Sequence, residues 1–264
     1  MPLGDFESDV LRLLAAQRSP DSYVGGATVL HQSPDSPRAS QDVDLFHDEE
    51  AAVNAAAQAD VPVLQRAGYQ VEIQRPQAGF VRAFIARGGR QTKIEWVQDS
   101  AFRFFPVEPD PLLGWRLNFW DAATNKLLAF AARMKLRDYV DVMFLHEHHL
   151  HVAALAWAAA GKDPGLNAEW IIDWGGRQAR LQGQDVGQLR LNQPLDLREM
   201  RQRWMRAAEE ALALIEQLPV TERGCLYLDA TGKPVCPDPA APEFPRLTRH
   251  YGSVKGAWPR IVES

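Results

Sequence analysis

The chain has 264 residues, enough for one large domain or two small ones at roughly 100–200 residues each. With 46% hydrophobic and 24% charged residues, it carries enough apolar surface for a core, which excludes a chain disordered throughout. The net charge of −5, from 29 basic and 34 acidic side chains, excludes a nonspecific DNA coat, because phosphate affinity rests on clustered Lys and Arg. Two cysteines, Cys225 and Cys236, are too few for a disulfide framework or a four-cysteine zinc site, and they suit a reducing cytosol. The N-terminus lacks a basic region followed by an apolar one, and no apolar run approaches ~18 residues. Neither a signal peptide nor a membrane span is expected, and the expected location is cytoplasmic.

Phe6, Val10, Leu13 and Leu14 fall on one face of a short N-terminal helix. Tyr23 to Leu30, with its glycine pair, reads as an apolar segment of one or two helical turns, followed by a polar loop from Gln32 to Ser40. Asp42-Val43-Asp44-Leu45-Phe46 alternates and reads as a strand. Residues 49–67 are alanine-rich and helical, with a break or restart at Asp60-Val61-Pro62, where Asp60 would be the N-cap, and a stop at Gly68. Tyr69, Val71 and Ile73 mark a second strand, and residues 80–86 and 91–98 form a hairpin around Gly88-Gly89.

From Asp121 the pattern is helical. Two helices join near Met134-Lys135, a third covers about 150–160, and a fourth about 167–181. Asp196 caps a long helix to Leu218 with Trp204, Leu212 and Ile215 on its apolar face. Cys225 to Cys236 reads as a hairpin. The fold class is therefore α+β: a small mixed sheet over residues 1–105, then a mostly helical domain over 106–264 with a C-terminal hairpin and basic tail.

Asp42 and Asp44, at i and i+2 on a strand, point to one face while Val43 and Leu45 point to the other. Paired carboxylates repel unless a cation or a proton neutralises them, and Mg²⁺, a hard cation with oxygen ligands, is a natural partner. On the strand Thr92-Lys93-Ile94-Glu95-Trp96-Val97, Ile94 and Trp96 share a face, which leaves Glu95 on the other. Glu95 either joins the aspartates as a third carboxylate or pairs with Lys93 or Arg90 as a solvent-facing strand residue. Gly25-Gly26 either lets a backbone approach phosphates or makes a tight turn. Lys126 and Arg133 share a helix face, as do Asp138 and Asp141, so an ion-pair network between two helices is expected.

A glycine pair, a loop, a DxD strand and a third acid on a later strand resemble the nucleotidyltransferase superfamily with a polymerase-β-like core. Asn125-Lys126-Leu127-Leu128-Ala129-Phe130-Ala131-Ala132-Arg133, followed by Arg137-Asp138-Tyr139-Val140-Asp141-Val142-Met143-Phe144-Leu145, is similar to the K…A…R…RDxxDhxxL signature of the AbiEii/AbiGii toxin-like family. The resemblance covers residues 20–150. It implies an enzyme that moves a nucleotidyl group from an NTP to an acceptor hydroxyl with Mg²⁺. Asp42 and Asp44 would bind the metal, and Glu95 would be a third ligand or the base. Gly25, Gly26 and Lys126 would hold phosphates, and Asp138 and Asp141 would support Lys126 or the acceptor. It further implies a toxin of a toxin–antitoxin or phage-defence pair, acting on a tRNA 3′ end or a protein hydroxyl, with a cognate antitoxin as partner. Two features depart from the family: a longer Gly26-to-Asp42 loop containing Pro34 and Pro37, and Gly26 where serine is frequent. A non-catalytic nucleotide- or partner-binding relative and a small-molecule nucleotidyltransferase are the alternatives.

Other signals read as structural. His146, His148, His149 and His151 do not fit HExxH and suit an exposed helix end. Arg38 reads as a solvated loop residue. Arg246, Arg249, Lys255 and Arg260, interleaved with Tyr251 and Trp258, suit either nucleic acid or a segment docked on the domain.

Overall fold

The computed structural model describes residues 3–74, 76–133, 135–177 and 183–259. It opens with helix α1 (Asp5–Leu14), which buries Phe6, Val10, Leu11 and Leu14 as the 3.6-residue spacing requires. The apolar segment expected to be helical divides in two. Ser22–Val24 is strand β1, with all three residues buried, and only Gly26–Leu30 forms a short helix, α2. Strand β2 (Asp42–His47) follows, then α3 (Glu50–Arg66), β3 (Gln70–Ile73), β4 (Phe80–Arg87) and β5 (Arg90–Gln98). Gly88 and Gly89 both have positive φ, as a two-residue hairpin turn requires.

The expected break in α3 does not occur: the helix runs through Pro62. Asp60 caps nothing. Its carboxylate is fully buried and accepts from Arg18 Nη2 at 2.6 Å on both oxygens and from Trp96 Nε1 at 2.8 Å.

Short strands β6 (Phe102–Arg103), β7 (Glu108–Asp110) and β8 (Gly114–Arg116) have no counterpart in the sequence reading. They are two or three residues long, and β7 contains a proline, so neither alternation nor propensity marks them. The main sheet has seven strands in the order β3-β4-β5-β2-β1-β8-β7. It is mixed: β2 runs parallel to β5 and β1 parallel to β8, while the other pairs are antiparallel. Val43, Leu45, Val81, Ala83, Ile94 and Trp96 line its core face with α1 and α3.

Helices α4 (Phe119–Ala132), α5 (Leu136–His148), α6 (Val152–Ala159), α7 (Ala168–Arg177) and α8 (Leu197–Gln217) follow. Met134 and the last part of the fourth expected helix lie outside the described residues. Every residue of α6 is buried, because it packs on α5, α7, α8 and β9 (Leu226–Leu228). Asp196 caps α8, accepting from the backbone N–H groups of Arg198 and Glu199. The buried face of α8 is Met200, Trp204, Ala207, Ala211 and Ile215, and Leu212 is only partly covered. The hairpin expected at 225–236 is reduced to a bridge between Leu228 and Pro234, and β9 pairs with β10 (Thr248–His250). Strand β11 (Ser253–Val254) pairs with β6.

The chain divides into two units, residues 1–101 with 106–122, and residues 102–105 with 123–264. A single cut at residue 105 misses this interleaving. β8 joins the main sheet through β1, which assigns 106–122 to the first unit, and β6 pairs with β11, which assigns 102–105 to the second.

Candidate active site

The site begins with the register of two parallel strands. Asp42 pairs with Lys93 and Asp44 with Glu95, so all four side chains share one face of the sheet. Arg82 of β4 pairs with Glu95 and extends that face by one strand. The opposite face carries Val43, Leu45, Ile94 and Trp96 into the core, which leaves the charged residues only the open side.

Lys93 Nζ lies 3.1 Å from Asp42 Oδ2 and 3.0 Å from Glu95 Oε1. Arg82 donates through Nε to the same Glu95 oxygen at 2.6 Å. Partial burial pushes the Glu95 carboxyl up, but the ammonium and guanidinium outweigh it and hold the group below the ordinary glutamate range. Both cations meet the same carboxylate oxygen of Glu95.

The glycine pair closes on this face. Gly25 N–H donates to Asp44 O at 3.1 Å, and a side chain at Gly25 would collide with the Phe46 ring. Gly26 has φ +64°, and a Cβ there would collide with Asp44 Oδ2. Both glycines are thus required by the packing of β1–α2 against β2, and at Gly26 bare backbone lies against the second aspartate. The Gly26-to-Asp42 loop is ordered through buried Ser36, Arg38 and Ser40. Thr28 donates to Ser40 Oγ, and Ser40 Oγ donates to Asp42 O at 3.0 Å. Arg38 is buried, not solvated as expected.

Mg²⁺ prefers oxygen donors and commonly takes one or two protein carboxylates, filling its other positions with phosphate and water. Asp42 and Asp44 fit that donor set. Among the described residues no three carboxylate, imidazole or thiol groups converge to cage a metal ion. Glu95 lies on the same face but is occupied by Lys93 and Arg82. Lys93, expected from the sequence only as an ion-pair partner of Glu95, is the cation that bridges Asp42 and Glu95. Its signal was its position two residues before Glu95 on one strand.

The helical unit holds the other expected group. Lys126 Nζ on α4 donates to Asp138 Oδ1 at 2.8 Å and lies 3.0 Å from Asp141 Oδ2 on α5. Arg133 Nε donates to Asp138 Oδ2 at 2.7 Å. Both aspartates are fully buried, and Lys126 is 7% exposed. Burial raises the Asp138 carboxyl, and Lys126 with Arg133 reverses the shift to below the ordinary range. The expected interhelical network is present, and a lysine ammonium with three donors keeps one beyond its two aspartates.

The other charged signals resolve locally. His151 caps α6 by accepting from Ala153 N–H at 3.2 Å through its ring, and His146 Nδ1 accepts from Val152 N–H at 3.3 Å. Arg249 is spent internally: its Nη1 donates to the carbonyls of Phe244, Pro245 and Leu247, and its Nε lies 3.1 Å from Glu222. Arg260 lies outside the described residues. No helix among the described residues is long and apolar enough to cross a membrane.

The mixed sheet thus carries an aspartate pair on one strand, a carboxylate in register on the next and a glycine pair against them. The family model of the AbiEii nucleotidyl transferase toxin, of a type IV toxin–antitoxin system, matches residues 11–218. The chain belongs to this family and is a nucleotidyltransferase. A crystal structure of a protein from H. pylori assigned as a nucleotidyltransferase aligns with a TM-score of 0.50 at 19% identity, covering 81% of this chain and 94% of that one. MenT4, a nucleotidyltransferase toxin from Mycobacterium tuberculosis H37Rv, aligns with a TM-score of 0.50 at 16% identity, covering 80% and 91%. At these identities the likeness supports the fold. Comparison with curated proteins gives no match.

Proposed function

We propose that the protein transfers a nucleotidyl group from an NTP to an acceptor hydroxyl in a Mg²⁺-dependent reaction, as the toxin of a toxin–antitoxin pair. The observation that carries this reading is the in-register face of Asp42, Asp44 and Glu95 with the Gly26 backbone against Asp44. The acceptor hydroxyl oxygen attacks the α-phosphorus, the bond from that phosphorus to the bridging oxygen breaks, pyrophosphate leaves with that bond's electron pair, and the hydroxyl proton passes to solvent. Mg²⁺, when bound, supplies positive charge against the charge developing on the phosphoryl oxygens.

Asp42 and Asp44 hold that cation with their carboxylates. Glu95, kept ionised by Lys93 and Arg82, anchors the cationic side chains beside them and does not take up the acceptor proton. Gly25 and Gly26, whose backbone lies against β2 at Asp44, contact the phosphates, and Lys126 offers its remaining N–H to an anionic group. The acceptor is the hydroxyl of a tRNA 3′ end or of a protein, and a cognate antitoxin relieves the toxicity.

The test is calorimetric titration of each NTP with and without Mg²⁺, on wild type and on Asp42→Ala/Asp44→Ala, followed by transfer of α-labelled NTP to bulk tRNA or protein. Metal-dependent binding lost in the double variant, with label moving to one acceptor class, is expected. Failure of folded wild type to bind any of the four NTPs would reject the reading in favour of a non-catalytic relative.

A further inference from the structure

Where β2, β5 and β4 lie side by side, the open face brings Asp42, Asp44 and Glu95 together with Lys93 and Arg82. The two cations are not equivalent. Arg82 lies at the outer side, with its guanidinium on Glu95. Lys93 spans the strands: one Nζ lies at 3.1 Å from Asp42 on β2 and 3.0 Å from Glu95 on β5. Its side chain is mostly covered, so the ammonium is held between Asp42 and Glu95 rather than free in solvent.

A divalent cation drawing on Asp42 therefore meets a positive charge already at that carboxylate. Like charges at this separation oppose each other strongly where water is partly excluded. For the metal to bind, the ammonium must give up Asp42, and it then needs another anion. A triphosphate arriving with the metal supplies one.

Building on the function proposed above, we propose that Lys93 is a built-in counter-ion that competes with the divalent cation for Asp42, so that this face takes up metal together with a nucleoside triphosphate rather than ahead of it. Lys93 is in this sense a positioning residue: it sets the order and coupling of loading through Asp42 and takes no part in the bond changes. The coupling is reciprocal, so the metal must improve nucleotide affinity by the same factor as the nucleotide improves that of the metal.

The test uses Mn²⁺, which accepts the same oxygen ligands as Mg²⁺. The full chain is titrated with Mn²⁺ alone, and the free aquo ion is followed by electron paramagnetic resonance. The titration is repeated with the α,β-methylene analogue of each NTP in turn. Lys93→Met should bind Mn²⁺ alone roughly five- to tenfold more tightly than wild type, and the analogue should improve its Mn²⁺ affinity by less than it does for wild type. A variant that merely loosened the site would instead lose Mn²⁺ affinity. Lys93→Gln serves as a second neutral variant and Lys93→Arg as the charge-retaining control, each checked for an unchanged thermal transition.

Equal or weaker Mn²⁺ binding by the neutral variants, with wild-type binding intact and lost in Asp42→Ala/Asp44→Ala, would overturn the role of Lys93 and leave the metal site standing. No Mn²⁺ binding by any protein, with or without the analogues, would remove the metal reading itself and the competition with it.

Discussion

Lys126→Met removes the only lysine in a buried cluster, and its cost follows from the distances. Lys126 Nζ is 2.8 Å from Asp138 and 3.0 Å from Asp141, and neither aspartate is exposed. At an effective dielectric of about 20, each contact carries roughly 6 kcal/mol of gross Coulomb attraction, most of it offset by desolvation. Breaking such a pair from one side leaves an uncompensated buried charge, at about 3–5 kcal/mol. Arg133 still holds Asp138 at 2.7 Å, so the expected loss lies at the lower end, about 3–4 kcal/mol. In a protein of this size that lowers the melting temperature by roughly 6–16 °C. Scanning calorimetry of the full chain measures it, and Lys126→Met/Asp141→Asn should recover part of the loss, because one of the two buried negative charges that faced the lysine is then gone. A shift under about 2 °C in the single variant would refute the reasoning, since it would mean that both aspartates are neutralised without the lysine.

Three further outcomes are expected. Among the described residues, Arg18→Met leaves the buried Asp60 carboxylate with only the Trp96 donor, and it should cost about 3–5 kcal/mol by thermal denaturation, with partial recovery in Arg18→Met/Asp60→Leu. Gly26→Ala places a Cβ at positive φ and against Asp44; at about 1–2 kcal/mol for the left-handed conformation alone, it should lower the melting temperature by several degrees and weaken NTP binding in calorimetry. Burial and the neighbouring Arg18 push His47 down from 6.5 to about 4, so the folded protein binds fewer protons than the unfolded chain across that interval. Stability is therefore full above about pH 6.5 and falls as pH drops toward 4, by at most ~3 kcal/mol for this group, and melting curves of His47→Gln should show a shallower slope over that window.

The parts of the fold legible in the sequence are those with strong local signals. The β4–β5 hairpin follows from Gly88-Gly89 between alternating runs, and α8 from Asp196 before an amphipathic stretch. The interhelical cluster follows from i, i+3 and i, i+7 spacing alone, because both aspartates and the lysine lie on helices whose faces the spacing sets. What was not legible depends on partners distant in sequence. Nothing local tells that Asp60 is buried under Arg18, 42 residues away, so it looked like a helix cap. The alternation of β5 placed Glu95 on the face away from Ile94 and Trp96, but whether Lys93 serves Glu95 alone or also Asp42 is decided by the parallel register with β2. β7 and β8 join the sheet only through β1, a pairing that no pattern inside residues 106–118 announces.

The buried polar contact and the open charged face are two sides of one strand. Trp96 points to the core and donates to Asp60 on α3, and Glu95 and Lys93, one and three residues before it, point the other way. Because side chains alternate with a period of two, a slip of β5 by one residue would send Glu95 and Lys93 into the core and Trp96 outward. Apolar packing opposes such a slip, but Val, Ile and Leu on neighbouring strands are interchangeable in a way that an indole N–H facing a buried carboxylate is not. Asp60 also holds Arg18 from the segment that follows α1, so the same carboxylate ties α1, α3 and β5 together. A buried ion pair contributes little net stability compared with apolar residues of the same volume. Its value here is positional: it fixes which residues of β5 meet Asp42 and Asp44, and so the Arg18→Met/Asp60→Leu protein, even where its melting temperature recovers, should show weaker metal-dependent NTP binding than wild type in the same calorimetric titration. Unchanged binding in that double variant would show that apolar packing alone sets the register.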